Sequence, residues 1–202
     1  MTFIDVLGWK GIWLRRTGPE VVRHLKHLVG TAEKMVRGAD ETTVLSISDT
    51  IVLLTIGEPK TGLQLHGDVT TQLICDSISY GLPLRGATAC GQFFVESPSI
   101  LVGPAVDEAA SWHEATDWIG VIQTPSAFLA YDGIGPWRED HAPVKGGGVR
   151  PFKIPCVDWP RVWRKQGRTR QELQRYFSAM GPFDTSVATK YTNTLLFYGD
   201  DP

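Results

Sequence analysis

Apolar and polar residues alternate along the chain in two rhythms, one with a period of two and one with helical spacing. Residues 2–7 are apolar except for Thr2 and Asp5 and predict a short buried strand. Over residues 19–37, Val22, Leu25, Val29, Ala32 and Val36 recur three or four positions apart, predicting a helix with Pro19 in its first turn. Residues 42–47 and 51–56 are β-rich and flank Ser48-Asp49, which reads as a hairpin tip. After a loop at "GEPKTG", residues 65–78 predict a second helix that stops before Gly81 and Pro83. Residues 84–96 read as one strand of small residues, and "SPSILVG" as its return in a long hairpin. Residues 106–115 are helical in pattern, and 118–123 form a strand.

Two crossover helices need a sheet to cover, so the fold class is an α+β sandwich. There are no internal repeats. Beyond Pro125 glycine and proline become frequent, and "VKGGGVRPFKIPCVDWP" reads as a loop-rich arm. "TRQELQRYFSAM" and "SVATKYTNTLLFY" predict two C-terminal helices. The expectation is one domain over residues 1–202, with a core at about 1–124 and the arm and helices at about 125–202.

Composition narrows the function classes. The 42% hydrophobic and 21% charged fractions are those of a soluble globular protein. A net charge of -2 argues against a binder of duplex nucleic acid. No run reaches the roughly 20 apolar residues of a membrane span. Asp5 and Gly8 interrupt the place where a signal peptide would be apolar. Cys75, Cys90 and Cys156 form no CxxC pair, which favours free thiols in a cytoplasmic protein. Some of the seven tryptophans are expected at an interface.

A carboxylate inside an apolar strand is costly without a partner. Asp5 and Asp49 both sit at strand ends, where two carboxylates suit divalent cations that also bind substrate phosphates. Gly8 would let phosphates approach backbone N–H groups. The pattern alone leaves a plainer reading open: two solvent-facing aspartates with ordinary hydrogen bonds.

Four motifs bear on that choice. "FIDVLGW" resembles the first-strand motif of class III nucleotidyl cyclases, F-x-D-[IV]-x-G-F, and "SISDT" their hairpin motif ending in G-D. "LRGATACG" is similar to their R-[VI]-G-[IV]-x-x-G strand, and "LVGPAVDEAASW" to their helix opening W-G-x-x-V-N-x-A-x-R. All four stand in family order. The resemblance implies a ferredoxin-like core, an antiparallel-rich sheet with helices on one face. It also implies a head-to-tail homodimer with active sites at the interface, and two Mn2+ or Mg2+ ions per site. Asp5 and Asp49 match the metal-binding aspartates, and the Val6 carbonyl would reach one metal. Gly8 and Trp9 would cradle phosphates, and Arg85 matches the arginine that contacts the triphosphate through a two-pronged donor fork.

The departures concern the base. Leu45 stands where adenylate and guanylate cyclases place a purine-reading Lys or Glu, and Ile100 where they place Asp or Cys. Asp107 replaces the helix asparagine, and Ser111 the transition-state arginine. Loss of the polar readers abandons the usual purine readout, because such sites discriminate through paired buried groups. Arg85, Lys145, Arg150 and Lys153 are candidates for the missing cation.

This combination resembles the pyrimidine cyclases of the bacterial Pycsar antiphage system, and the similarity extends to "DWP" at Asp158, Trp159 and Pro160. It implies conversion of UTP to 3′,5′-cyclic UMP, with CTP to cyclic CMP, or a catalytically silent nucleotide-binding module, as alternatives. The product would act on a separate effector with a cyclic-nucleotide receptor. Thr50, beside Asp49, is the first candidate to border the base, with Asp107 also on the substrate. His24 and His27 read as a solvated helix face, Cys90 as a small core residue, "KGGGVR" as a loop, and "RVWRKQGRTR" as a solvated basic helix face.

Overall fold

The structure, a computed structural model, describes residues 1–96, 100–131, 135–145, 153–181 and 184–200. Arg150 and the glycines of "KGGGVR" lie outside them.

The first six strands and α-helices form a βαββαβ unit. They are β1 (Thr2–Val6), α1 (Gly18–Met35), β2 (Thr42–Ile47), β3 (Thr50–Thr55), α2 (Pro59–Tyr80) and β4 (Leu84–Thr88). β1 lies between β3 and β4 and is antiparallel to both. The close seam with β4 explains Gly86: a Cβ there would lie 2.2 Å from the Phe3 carbonyl oxygen. β5 (Phe94–Glu96) and β6 (Ile100–Val102) form a separate two-stranded ribbon. The expected long strand thus breaks between Thr88 and Phe94, and only its first part belongs to the main sheet.

α3 (Pro104–Ala115) then leads to β7 (Gly120–Gln123), parallel to β4. α4 (Pro125–Ala130) follows, then β8 (Trp137–Asp140) and β9 (Ile154–Val157). The sheet order is β2-β3-β1-β4-β7-β9-β8. The segment read as a loop-rich arm therefore supplies one strand of the main sheet, β9, and β8 comes from the stretch just before it. α5 (Trp159–Lys165), α6 (Arg170–Met180) and α7 (Thr185–Tyr198) complete the chain.

Alternation along the strands divides the core. Ile4, Val6, Ile51 and Leu53 join a large cluster with Leu28 of α1, Leu73 and Ile78 of α2, and the C-terminal Trp159, Trp163 and Phe177. Phe3, Val52 and Leu54 turn the other way, toward Ala105 and Ala109 of α3. The helices thus crowd one face of the sheet, while α3 alone takes part of the other.

The tail is fastened rather than appended. Asp158 accepts from the Arg161 N–H at the start of α5 and pairs with Arg138 at 3.1 Å, and Trp159 donates to the Ile119 carbonyl at 3.0 Å. "DWP" is a cap and a core anchor. Two of the "RVWRKQGRTR" arginines also work inward: Arg168 donates to Ser79 Oγ and lies over Trp163, and Arg164 lies over Tyr198, whereas Arg161 stays exposed. Trp118, Trp159 and Trp163 are fully buried, whereas Trp13 is 53% exposed. His24 and His27 both pack against the Tyr80 ring. Cys90 is half-buried rather than in the core, and all three thiols are free.

Candidate active site

The site forms at one end of the sheet, where β1 runs out and β4 begins. Asp5 is in register with Thr50 on one side and Arg85 on the other, so these three side chains share a sheet face. Asp49 arrives from the β2–β3 turn. Ile47 pairs with Thr50, leaving Ser48 and Asp49 as a two-residue loop, and the Val6 N–H donates to the Asp49 carbonyl at 3.2 Å. Ser48 takes a positive φ of 57°, a conformation that the tight turn imposes and that glycine would adopt without strain.

The sheet thereby brings Asp5 and Asp49 together, their carboxyl groups within hydrogen-bonding reach. Burial, and then this neighbouring carboxyl, push Asp5 up to about 7, against the pull of Arg85. The Arg85 guanidinium lies 3.5 Å from Asp5 Oδ2, with the two side chains 14% and 17% exposed. Its Nη1 also donates to the Thr116 carbonyl at 3.1 Å, at the C-terminal end of α3. One arginine thus ties strand, carboxylate and helix end together.

A cleft of about 970 Å³ opens over this pair. Val6, Gly8 and Trp9 form its floor. Gly8 adopts φ 76° and starts a short 3-10 helix, Trp9–Leu14, with no atom within 4 Å of where a Cβ would stand. The backbone is therefore open to a ligand. Lys10, Arg15, Lys145 and Lys190 join Arg85 on the walls, outnumbering the carboxylates of Asp5, Asp49 and Asp184.

Of the residues singled out from sequence, Asp5, Val6, Gly8, Trp9, Asp49 and Arg85 line this cleft together. Thr50 adjoins it, half-buried, and makes no hydrogen bond through its side chain among the described residues. Asp107 does not line the cleft of its own chain: it is exposed in the first turn of α3. Ser111 is exposed on the same helix. Of the candidate cations, Lys145 lines the cleft, whereas Lys153 is exposed and does not. Lys10, Arg15 and Lys190 were not anticipated. Lys190 had a visible signal, as the only charged residue in α7 and in helical step with Val187, Tyr191 and Thr194.

No cluster of three His, Cys, Asp or Glu side chains forms among the described residues. The donors present are two adjacent carboxylates beside a strand-end backbone. This all-oxygen set fits magnesium or manganese, which bind through one or two carboxylates and leave positions for water and phosphate. The raised Asp5 carboxyl is consistent with that fit, because two anions this close call for a cation or a shared proton.

No protein-family model matches the chain, and no curated protein matches it in sequence. Solved structures do match. A monomeric guanylyl cyclase domain of the RhoGC fusion protein from Blastocladiella emersonii aligns at TM-score 0.57 and 13% identity, covering 78% of this chain and 92% of that one. The guanylate cyclase domain of RhGC from Catenaria anguillulae, solved with GTP, aligns at 0.53 and 14%, covering 77% and 91%. The adenylyl cyclase CyaB from P. aeruginosa gives 0.53 and 15%, with the same coverage. The chain has the class III adenylyl/guanylyl cyclase fold.

Proposed function

We propose that the protein is a pyrimidine nucleotide cyclase that converts UTP to 3′,5′-cyclic UMP and pyrophosphate. The observation that carries the reading is the meeting of Asp5 and Asp49, with Arg85 in contact, beneath a cation-walled cleft on a cyclase fold. Solved neighbours with this fold include one bound to GTP, which supports a nucleoside triphosphate as the ligand class.

Asp5, Asp49 and the Val6 carbonyl would hold two divalent ions. When bound, they supply activation of the ribose 3′-hydroxyl and neutralisation of charge on the leaving group. The chain's own groups do the positioning. Gly8 and Trp9 offer backbone N–H donors to the phosphates, and Arg85 and Lys145 balance the charge that develops as pyrophosphate departs. A bond forms between the 3′-oxygen and the α-phosphorus, the bond from that phosphorus to the bridging oxygen breaks, and the hydroxyl proton passes to solvent.

The base side supports a pyrimidine. Leu45, in register with Val52, packs in the apolar cluster that includes Phe3 and Leu101. An aliphatic Leu45 cannot hydrogen-bond a purine edge, and Thr50, on the same sheet face beside Asp5, supplies a candidate hydroxyl for a smaller base. A homodimer would bring the partner's α3, and with it a second Asp107, toward this face. A role in Pycsar antiphage signalling, with cyclic UMP passing to a separate effector, completes the reading. No helix among the described residues is long and apolar enough to cross a membrane.

The test is incubation of the purified chain with each of the four triphosphates and manganese, followed by chromatography. Cyclic UMP is the expected principal product. Purine products alone, or binding with no release of pyrophosphate, would overturn the reading.

A further inference from the structure

The sheet supplies the carboxylates of the cleft, but one of its walls comes from the far end of the chain. α7 carries a single charged residue, Lys190, and buries it: the side chain is 9% exposed. A buried ammonium is costly unless its donors are used. Two uses are visible. Nζ donates to the Ser186 carbonyl at 2.8 Å and lies 3.3 Å from Asp117 Oδ1. An ammonium has three donors, so among the described residues one is left over, and the side chain borders the same cleft as Asp5, Asp49 and Arg85.

The cleft beside Lys190 is lined by more cations, Lys10, Arg15, Arg85, Lys145 and Lys190, than carboxylates, Asp5, Asp49 and Asp184. Arg85 donates to the Thr116 carbonyl, next to Asp117, and the Lys145 backbone N–H donates to the Ala115 carbonyl at 2.7 Å. Arg85 and Lys190 therefore reach the short segment that follows α3 with their charged groups, and Lys145 is joined to the same stretch through its backbone. Asp117 is already shared between Lys190 and the Asn193 side chain, and Asp5 faces Arg85. Lys145 forms no ion pair among the described residues. Burial, then Arg85 and Lys190, lower its ammonium against the pull of Asp117 and Glu114, so the three cations stand close enough to feel one another. Such a cluster is built for a polyanion.

We propose that Lys190 binds the terminal phosphates of the substrate, so that α7 is part of the active site rather than a cover over the core. The inference rests on the triphosphate reading of this cleft and adds a cation in cis. On α3, the helix that would otherwise present one, Ser111 is uncharged and exposed. Lys190 acts on the phosphate end and is indifferent to the base.

The test is calorimetric binding of inorganic pyrophosphate with magnesium to the full chain, with thermal melting run in parallel. Lys190→Met is expected to weaken pyrophosphate binding at least tenfold and to raise KM for every triphosphate by the same factor. Lys190→Arg, which keeps the charge, is expected to restore most of that loss. Asp117→Asn, which breaks the ion pair but spares the amine, should bind pyrophosphate within about twofold of wild type. Lys190→Gln keeps a donor for Ser186 and serves if the methionine variant does not fold; the same weakening is expected of it. Unchanged pyrophosphate affinity in a folded Lys190→Met or Lys190→Gln would show a purely structural ion pair and overturn the inference while leaving cyclisation intact. Wild-type protein that neither binds pyrophosphate nor cyclises any triphosphate would overturn both readings.

Discussion

Asp5 on β1 and Arg85 on β4 stand directly opposite each other in the sheet, with their charged groups 3.5 Å apart. The pairing register alone sets this relationship. A slip of one residue would send one side chain to the opposite face, into the apolar core against α1 and α2. Strand order on the other side of β1 then delivers Asp49 to the same spot. The chemistry of the site is thus a property of sheet geometry before it is one of any loop.

Asp49 sits in a turn and carries no load in the core. Asp49→Ala is expected to lower cyclisation by roughly a hundredfold or more, since even groups that only support a metal ligand cost about 10–100-fold when lost, while the melting temperature stays within a degree or two. Turnover that survives this change, measured by product chromatography under manganese, would remove Asp49 from the site.

Ser48 holds a left-handed φ of 57°. Ser48→Gly should relieve that strain. After allowing for glycine's greater freedom when unfolded, the gain is about 0.5–1 kcal/mol. For a chain of this size that corresponds to a rise of roughly 2–3 °C in melting temperature. A melt that moves down would mean that the serine hydroxyl stabilises the turn.

His66 gives a pH prediction with a definite sign. It is fully buried, and its ring nitrogens hydrogen-bond with Thr2 Oγ1 at 2.7 Å and Thr55 Oγ1 at 2.9 Å. Burial is the main reason that its pKa lies well below the ordinary 6.5. The folded state therefore takes up a proton less readily than the unfolded one. The stability that neutral His66 provides is complete above about pH 6.5 and drains as pH falls, by up to about 1.4 kcal/mol per unit, until the folded ring titrates. The raised Asp5 carboxyl tilts the metal-free protein the opposite way, so the informative quantity is a difference. Urea denaturation of wild type and His66→Gln should give curves that converge between pH 7 and pH 5. Parallel curves would show that the ring is not buried neutral.

Thr50 borders the site from β3 with a hydroxyl that makes no hydrogen bond among the described residues. Thr50→Ala should change the ratio of kcat/KM for UTP over CTP by about tenfold, the worth of one hydrogen bond in a desolvated site, with little effect on melting. An unchanged ratio would move base recognition elsewhere, with Asp107 of a partner copy as the next candidate.

Much of the fold was legible because the early elements are amphipathic in the simplest way. β1, α1, β2 and β3 follow their periodicity closely. α2 begins six residues before the predicted start because Pro59 is harmless in a first turn and Gly62 packs against the Thr55 side chain. Glycine and proline there resembled a loop. β9 was hidden for a similar reason: "IPCV" is short, includes a proline and meets β7 through a single residue pair, Ile122 with Cys156. At the site, Asp5, Asp49 and Arg85 could be read because each stands within a local motif. Lys190 could not be joined to them, since no spacing rule links a C-terminal helix to the first strand. Only its isolation on an otherwise uncharged helix marked it.

The stitching around β7 decides how small a working version of this protein could be. The Ile119 N–H donates to Thr194 on α7, and Trp118 rests on Phe197 with ring centres 4.0 Å apart. Cutting the polypeptide after Gln123 would not release a self-standing core. It would bare an indole to water and leave a raw strand edge, a template for aggregation.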